Sequence, residues 1–167
     1  LDLLDRCYFP TREGVANFHD NFVDALILAG EEKIAEGKVE QAVTLYKKAF
    51  TYPENHQVFL VDERATHDAQ INYCLGEAYA ALGQDAEAEK YWKLAAEQDY
   101  ELKGSKDFRY WTGLALERLG RKAEAEAIFS ALVADGEAAV VTQHVNFYGA
   151  EGTTGVTVDI INSAAYY

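Results

Sequence analysis

The sequence predicts an all-α fold of helical hairpins that repeat along the chain, and three observations support this. Gly30, Gly76 and Gly113 are each followed seven residues later by a second glycine. An alanine and an aromatic residue then follow at fixed offsets, and the apolar residues between the markers have helical spacing. The other marker positions are Gly37, Gly83 and Gly120; Ala42, Ala88 and Ala125; and Tyr46, Trp92 and Phe129.

Each marker has a physical role in such a hairpin. The first glycine has no Cβ atom, so a neighbouring helix can approach it closely. The second glycine supplies the left-handed residue that ends the first helix. The alanine fits at the helix crossing, and the aromatic side chain fills the space between the two helices. We therefore expect three hairpins of one design.

The first part of the chain departs from this regular design. Residues 1–22 are predicted to hold the tail of a preceding repeat and a linking loop. The first repeat, 23–54, pairs helices at 23–36 and 38–50. Gly30 and Gly76 lie 46 residues apart, against ~34 in a regular array. Residues 55–68 are therefore predicted to be an insertion loop across the ends of the hairpins.

Two further repeats follow at 69–100 and 101–135. In the first helix of the second repeat, Ile71, Leu75 and Ala78 share one apolar face. The four helices of these repeats are expected at 69–82, 85–97, 106–119 and 121–134.

The C-terminal part has a different pattern. Residues 136–159 alternate valine with polar residues around several glycines, which predicts an irregular or extended segment. Residues 160–167 are predicted to begin a further helix that is truncated. Because Leu1 is not an initiator residue, we expect the chain to be a piece of a longer protein with a broken repeat at each end.

Composition excludes several classes of function. The 167 residues include 15 Lys+Arg and 28 Asp+Glu, for a net charge of −13, and 49% are hydrophobic. This apolar content is too high for a disordered acidic tail. The negative charge argues against nucleic acid as a partner, and no run approaches the ~18 apolar residues of a membrane span. Cys7 and Cys74 form neither a disulfide framework nor a zinc signature.

The spacing of the marker residues resembles the tetratricopeptide repeat over about 23–135, most clearly at Leu75–Gly76, Leu82–Gly83 and Trp92. The resemblance implies a right-handed α-superhelix whose concave groove is lined by the first helix of each hairpin. The stretch Phe9–Gly14 and the repeat that follows resemble the C-terminal region of large bacterial proteins with an N-terminal mutarotase-like domain. The residues that the family resemblance places on the groove are Asp24, Ile27, Glu31, Gln70, Tyr73, Glu77, Asp107, Tyr110 and Glu117.

This resemblance implies a non-enzymatic scaffold for a protein, a peptide or another domain of the same chain. The lysine and asparagine residues with which chaperone-binding members hold a terminal carboxylate are missing. Carboxylates together with Tyr73 and Tyr110 favour a basic or neutral peptide instead. No cofactor is expected. The alternatives are a supporting role in a carbohydrate-binding or carbohydrate-active parent protein, and self-association.

No catalytic or metal-binding constellation is expected. Adjacent acids such as Glu31–Glu32 are interpreted as surface charges, and the four histidines lack the spacing of metal ligands. Cys74 is interpreted as a buried small side chain. Trp92 and Trp111 are expected to pack within and between repeats. Two free cysteines are typical of the reducing cytoplasm, and a periplasmic or secreted parent remains an alternative.

Overall fold

The computed structural model describes residues 2–8, 18–56, 67–98 and 109–141. The regular structure within these ranges is helical, with no strand, so the all-α prediction is confirmed. A single 3₁₀ turn, Glu54–His56, follows the third helix. The helices are α1 Asp2–Arg6, α2 Phe18–Ala35, α3 Val39–Lys48, α4 Asp68–Ala81, α5 Asp85–Ala96, α6 Arg109–Arg118 and α7 Lys122–Val141.

The helices form three hairpins that contact one another in chain order. Within the hairpins, α2 packs on α3, α4 on α5 and α6 on α7. Between them, α3 packs on α4 and α5 on α6, and the first helices α2, α4 and α6 also contact in sequence. The helical-repeat interpretation is consistent with this arrangement.

Two predicted boundaries are wrong. Helix α2 begins at Phe18, inside the predicted linking loop. Helix α7 runs to Val141, so residues 136–141 are helical and not extended. Alanine and glutamate after Gly136 favour a helix, and one glycine costs only about 1 kcal/mol relative to alanine. Most of the insertion, 57–66, lies outside the described residues, as do the remainder of the 136–159 segment and the predicted helix at 160–167.

The glycine that follows each first helix ends it as predicted. Gly37, Gly83 and Gly120 have φ values of +75°, +69° and +76°. After α2, the Gly37 N–H donates to the Ile34 carbonyl at 2.9 Å and the Lys38 N–H to the Lys33 carbonyl at 2.8 Å. This is the paired bonding of a Schellman cap, which only a left-handed residue permits at low cost.

The glycine inside each first helix allows the close approach that the sequence predicts. A Cβ atom on any of the three would lie within 2.4 Å of an aromatic ring of the second helix, well inside van der Waals contact. The pairs are Gly30 with Tyr46, Gly76 with Trp92 and Gly113 with Phe129.

The core lies between the first two hairpins. Phe22 and Leu26 of α2 belong to the same hydrophobic cluster as Ile71 and Leu75 of α4, and all four side chains are at most 1% exposed. Full burial of such a side chain contributes about 1.5–3 kcal/mol. The crossing alanines are also buried, as predicted, since Ala42, Ala88 and Ala125 are 0%, 0% and 1% exposed.

Helix α1 is attached to the turn after α3. The Asn55 side chain donates to the carbonyls of Leu4 at 2.9 Å and Cys7 at 2.8 Å. The His56 ring nitrogen Nε2 lies 2.9 Å from the same Leu4 carbonyl. Lys48 and Asp5 add an ion pair at 2.7 Å. Backbone carbonyls at the end of α1 thereby find donors on the first hairpin.

Candidate functional site

The first helices carry the residues that the sequence predicts for a binding groove, and most of these are accessible. One prediction is wrong, because Ile27 is 3% exposed and belongs to the core. Asp107 lies outside the described residues. The accessible or half-buried residues are Asp24 and Glu31 on α2, Gln70, Tyr73 and Glu77 on α4, and Tyr110 and Glu117 on α6.

Three aromatic rings form a continuous ladder from α4 to α6. The Tyr73 ring lies 5.6 Å from the Trp111 ring between centroids, and Trp111 lies 5.3 Å from Tyr110 at an interplanar angle of 73°. We call Tyr73, Trp111 and Tyr110 the aromatic ladder. Both separations lie in the range of favourable aromatic pairs, and the contact of Trp111 with Tyr110 has the favoured edge-to-face geometry. Tyr110 is 45% exposed, so the ladder presents at least one ring to a partner.

Arg118 ties the ladder to a carboxylate that the sequence places on the same surface. Its Nη2 atom lies 2.6 Å from Oε2 of Glu77, across from α6 to α4. The bond to Glu77 is the main cause that raises the pKa of Arg118, and the nearby Tyr73 hydroxyl acts in the same direction. Burial, with the nearby Glu77 carboxylate, raises the pKa of Tyr73. The negative charge of Glu77 is therefore largely compensated.

Cys74 lies near two of these carboxylates. Burial first, and then the charges of Glu31 and Glu77, raise the pKa of the Cys74 thiol to about 12. A thiol with such a pKa is protonated at physiological pH and is a poor nucleophile. The sequence interpretation of Cys74 as a buried small side chain is confirmed, because it is 8% exposed.

The buried histidines make contacts within the fold. His19 stacks on Tyr52 with centroids 4.2 Å apart, and the His56 ring meets Phe22 edge-on at 4.7 Å. Nε2 of His67 lies 2.9 Å from Oδ1 of Asp20. Over the ranges that the structure describes, no group of three His, Cys, Asp or Glu side chains could hold a metal ion.

Sequence reasoning missed the bridge made by Arg118 and underrated Trp111. Trp111 packs between repeats, as expected, because its ring on α6 contacts Tyr73 of α4. Its ring also contacts Tyr110, so both of its partners are residues of the predicted groove. An available signal for the bridge was that Glu77 and Arg118 have opposite charges at nearby positions of successive first helices. Pairing helical positions across neighbouring hairpins would have found it.

No family model matches the chain, and no curated protein or solved structure matches it significantly. The described helices also include none that is both long and apolar enough to cross a membrane. The functional interpretation therefore depends on the chemistry of the surface itself.

Proposed function

We propose that the chain is a tetratricopeptide-type helical repeat that acts as a non-enzymatic interaction scaffold. Its ligand is a peptide or protein segment, or another domain of the same chain. The repeated unit supports the family assignment, since each hairpin combines a glycine under an aromatic ring, a buried crossing alanine and a left-handed glycine cap. The surface formed by the first helices is the binding surface.

The aromatic ladder is the observation that carries this proposal. Rings that are ordered by contact with one another lose little conformational freedom on binding, which is why tyrosine and tryptophan dominate interface energetics. Glu31 on α2 and Glu117 on α6 are exposed carboxylates on the same set of helices. A neutral or basic segment suits this combination, because lysine and arginine side chains interact favourably with both aromatic faces and carboxylates.

Replacing Tyr73 and Tyr110 together with alanine tests the proposal. The complete chain would be screened against a displayed library of short peptides, and the enriched sequences measured by calorimetry. We expect neutral or basic peptides to be enriched, and the double variant to weaken their binding at least about tenfold. Tyr8→Ala is the matched control, since Tyr8 is 61% exposed and lies on the N-terminal segment.

The double variant must also remain folded, as judged by its urea unfolding midpoint. Enrichment of acidic peptides, or unchanged affinity of a folded double variant, contradicts the proposal. The same rings could stack on sugars, which keeps a carbohydrate ligand as the alternative. A melting temperature that rises with added oligosaccharide and not with peptide would favour that alternative.

A further inference from the structure

The Glu77 carboxylate on α4 has only part of its hydrogen-bonding capacity filled. Its Oε2 atom accepts a hydrogen bond from Nη2 of Arg118 at 2.6 Å. Its Oε1 atom is buried and has no hydrogen-bond partner among the residues that the structure describes. Arginine and a carboxylate bind most strongly as a bidentate pair with two parallel N–H···O bonds. Because a buried oxygen without a donor is costly, Glu77 favours any guanidinium that can supply both bonds.

Arg118 can leave this ion pair at little cost. Its side chain is 51% exposed, and Glu77 is half-buried. Ion pairs between such accessible groups favour the paired state by only about fivefold or less, because water solvates the separated charges well. The pair therefore opens readily, and Arg118 then extends into solvent.

The ion pair lies beside the aromatic ladder. Tyr73 and Glu77 are one turn apart on α4, so they lie on one face of the helix. The Arg118 guanidinium lies near the Tyr73 hydroxyl, which acts together with Glu77 to raise the pKa of Arg118. A ligand that meets the ladder at Tyr73 therefore brings its neighbouring side chains to the place that Arg118 occupies.

A second carboxylate strengthens the attraction of this place for a further cation. Burial first, and then the charges of Glu31 and Glu77, raise the pKa of the Cys74 thiol, so both carboxylates lie near this thiol. Glu31 is exposed and belongs to α2, whereas Arg118 belongs to α6. Two carboxylates and one guanidinium leave a net negative charge here. A cationic side chain of a ligand would neutralise it.

We propose that Arg118 is an internal competitor for an arginine side chain of the ligand, an inference that rests on the proposed function. In the free protein Arg118 holds Glu77, and in the complex an arginine of the ligand replaces it. The incoming guanidinium donates to Oε2 and Oε1 together and lies against the Tyr73 ring. The competition selects arginine over lysine, because an ammonium group cannot form the planar bidentate pair.

The affinity of Arg118→Ala for arginine-containing peptides tests the competition. The unaltered chain and the variant would both be screened against the displayed library of short peptides, and the enriched sequences measured by calorimetry. Removal of the competitor should tighten the binding of arginine-containing peptides about threefold to fivefold, because the site is then always open. Arg121→Ala is the matched control, since it removes the same charge from an exposed pair with Glu124. We expect it to change the affinity less than about twofold.

Two further changes show whether the gain comes from Glu77. Replacing the arginine of the peptide with citrulline, its neutral analogue, should remove the gain. Adding Glu77→Gln to Arg118→Ala should remove it as well. Arg118→Gln keeps most of the side-chain length without the charge, so it replaces Arg118→Ala if the alanine variant has a lower urea unfolding midpoint.

Several results would overturn this inference and leave the proposed function intact. One is unchanged or weaker binding of arginine-containing peptides by the folded Arg118 variants. Others are an equal gain in Arg121→Ala, a gain that survives citrulline or Glu77→Gln, and enrichment by both chains of peptides without arginine. If neither chain enriches a neutral or basic peptide, the proposed function itself fails, and the inference fails with it.

Discussion

Gly76 shows how much one absent side chain matters. Replacing it with alanine would put the new Cβ 2.3 Å from a ring carbon of Trp92. The tryptophan or the helix must move, so we expect Gly76→Ala to lower the free energy of unfolding by about 1–3 kcal/mol. Combining it with Trp92→Leu should recover part of this loss. Urea unfolding of the single and double variants would measure the coupling.

Gly83→Ala is the matched control for that experiment. No atom lies within 4 Å of a Cβ at Gly83, but its φ is +69°. Its cost of about 1–2 kcal/mol is backbone strain, and we expect no rescue by Trp92→Leu. Equal coupling of both glycines to Trp92 would refute the steric interpretation.

Asp68, the first residue of α4, should make stability depend on pH. Burial raises its pKa from 3.8 to about 6, although the neighbouring His67 acts in the opposite direction. The folded chain therefore binds this proton more tightly than the unfolded chain, and the contribution of Asp68 becomes unfavourable as pH rises from about 4 to about 6. Because the group is half-buried, we expect Asp68→Asn to stabilise the protein by about 1 kcal/mol at pH 7.

Unfolding in urea at pH 4 and pH 7 would measure this effect. The stabilising difference between Asp68→Asn and the unaltered protein should nearly vanish at pH 4. Asp85→Asn is the control, since Asp85 is exposed and begins α5 in the same way. A difference that does not change with pH would contradict the assignment to ionisation of Asp68.

At the scale of the helices, the sequence predicts a helix end well where the backbone geometry of a single residue determines it. The caps at Gly37, Gly83 and Gly120 could be predicted because a left-handed residue is almost always glycine. The end of α7 could not, because Val140 and Val141 favour a strand whereas Glu137 and Ala138 before them favour a helix. The start of α2 at Phe18 likewise has no local marker that separates it from the loop before it.

The attachment of α1 can be tested at Asn55. Its side chain donates to two carbonyls of the α1 segment, at Leu4 and Cys7. We expect Asn55→Ala to speed amide exchange in residues 2–8, while the unfolding free energy of the whole protein falls by less than about 1.5 kcal/mol. Glu54→Ala alters an exposed residue of the same turn and should change neither. Unchanged exchange in Asn55→Ala would show that other contacts hold α1.

Across the whole molecule, the binding surface was only partly predictable. Helical periodicity assigns residues to a face but does not say which of them a neighbouring hairpin covers. Ile27 is therefore core although its position predicts exposure, because it belongs to the hydrophobic cluster that α2 forms with α3 and α4. Glu77 lies on the first helix of its hairpin as predicted, but its carboxylate is paired with Arg118. Arg118 is about 40 residues away in sequence, on α6. An ion pair between residues so far apart in sequence cannot be predicted from the spacing of residues within one helix.

Cys74 offers a measure of the stability of the whole fold. Its thiol is buried in the core cluster, with a pKa raised to about 12, so at pH 8 it is protonated and reacts slowly. We expect a thiol reagent to label the exposed Cys7 rapidly and Cys74 only as the protein opens. In Cys7→Ser the slow labelling should accelerate with urea in step with unfolding. Rapid labelling of Cys74 without urea would contradict this.

The order of the helix contacts has a consequence for how the chain acquires its structure. Each extensive contact among the described helices joins members of the same hairpin or of adjacent hairpins. Loops closed during folding are therefore short, which favours fast folding. Nucleation can begin in any hairpin and spread to its neighbours. Under a stretching force the described helices should come apart one hairpin at a time, beginning with the first or the third, each of which contacts only one other hairpin.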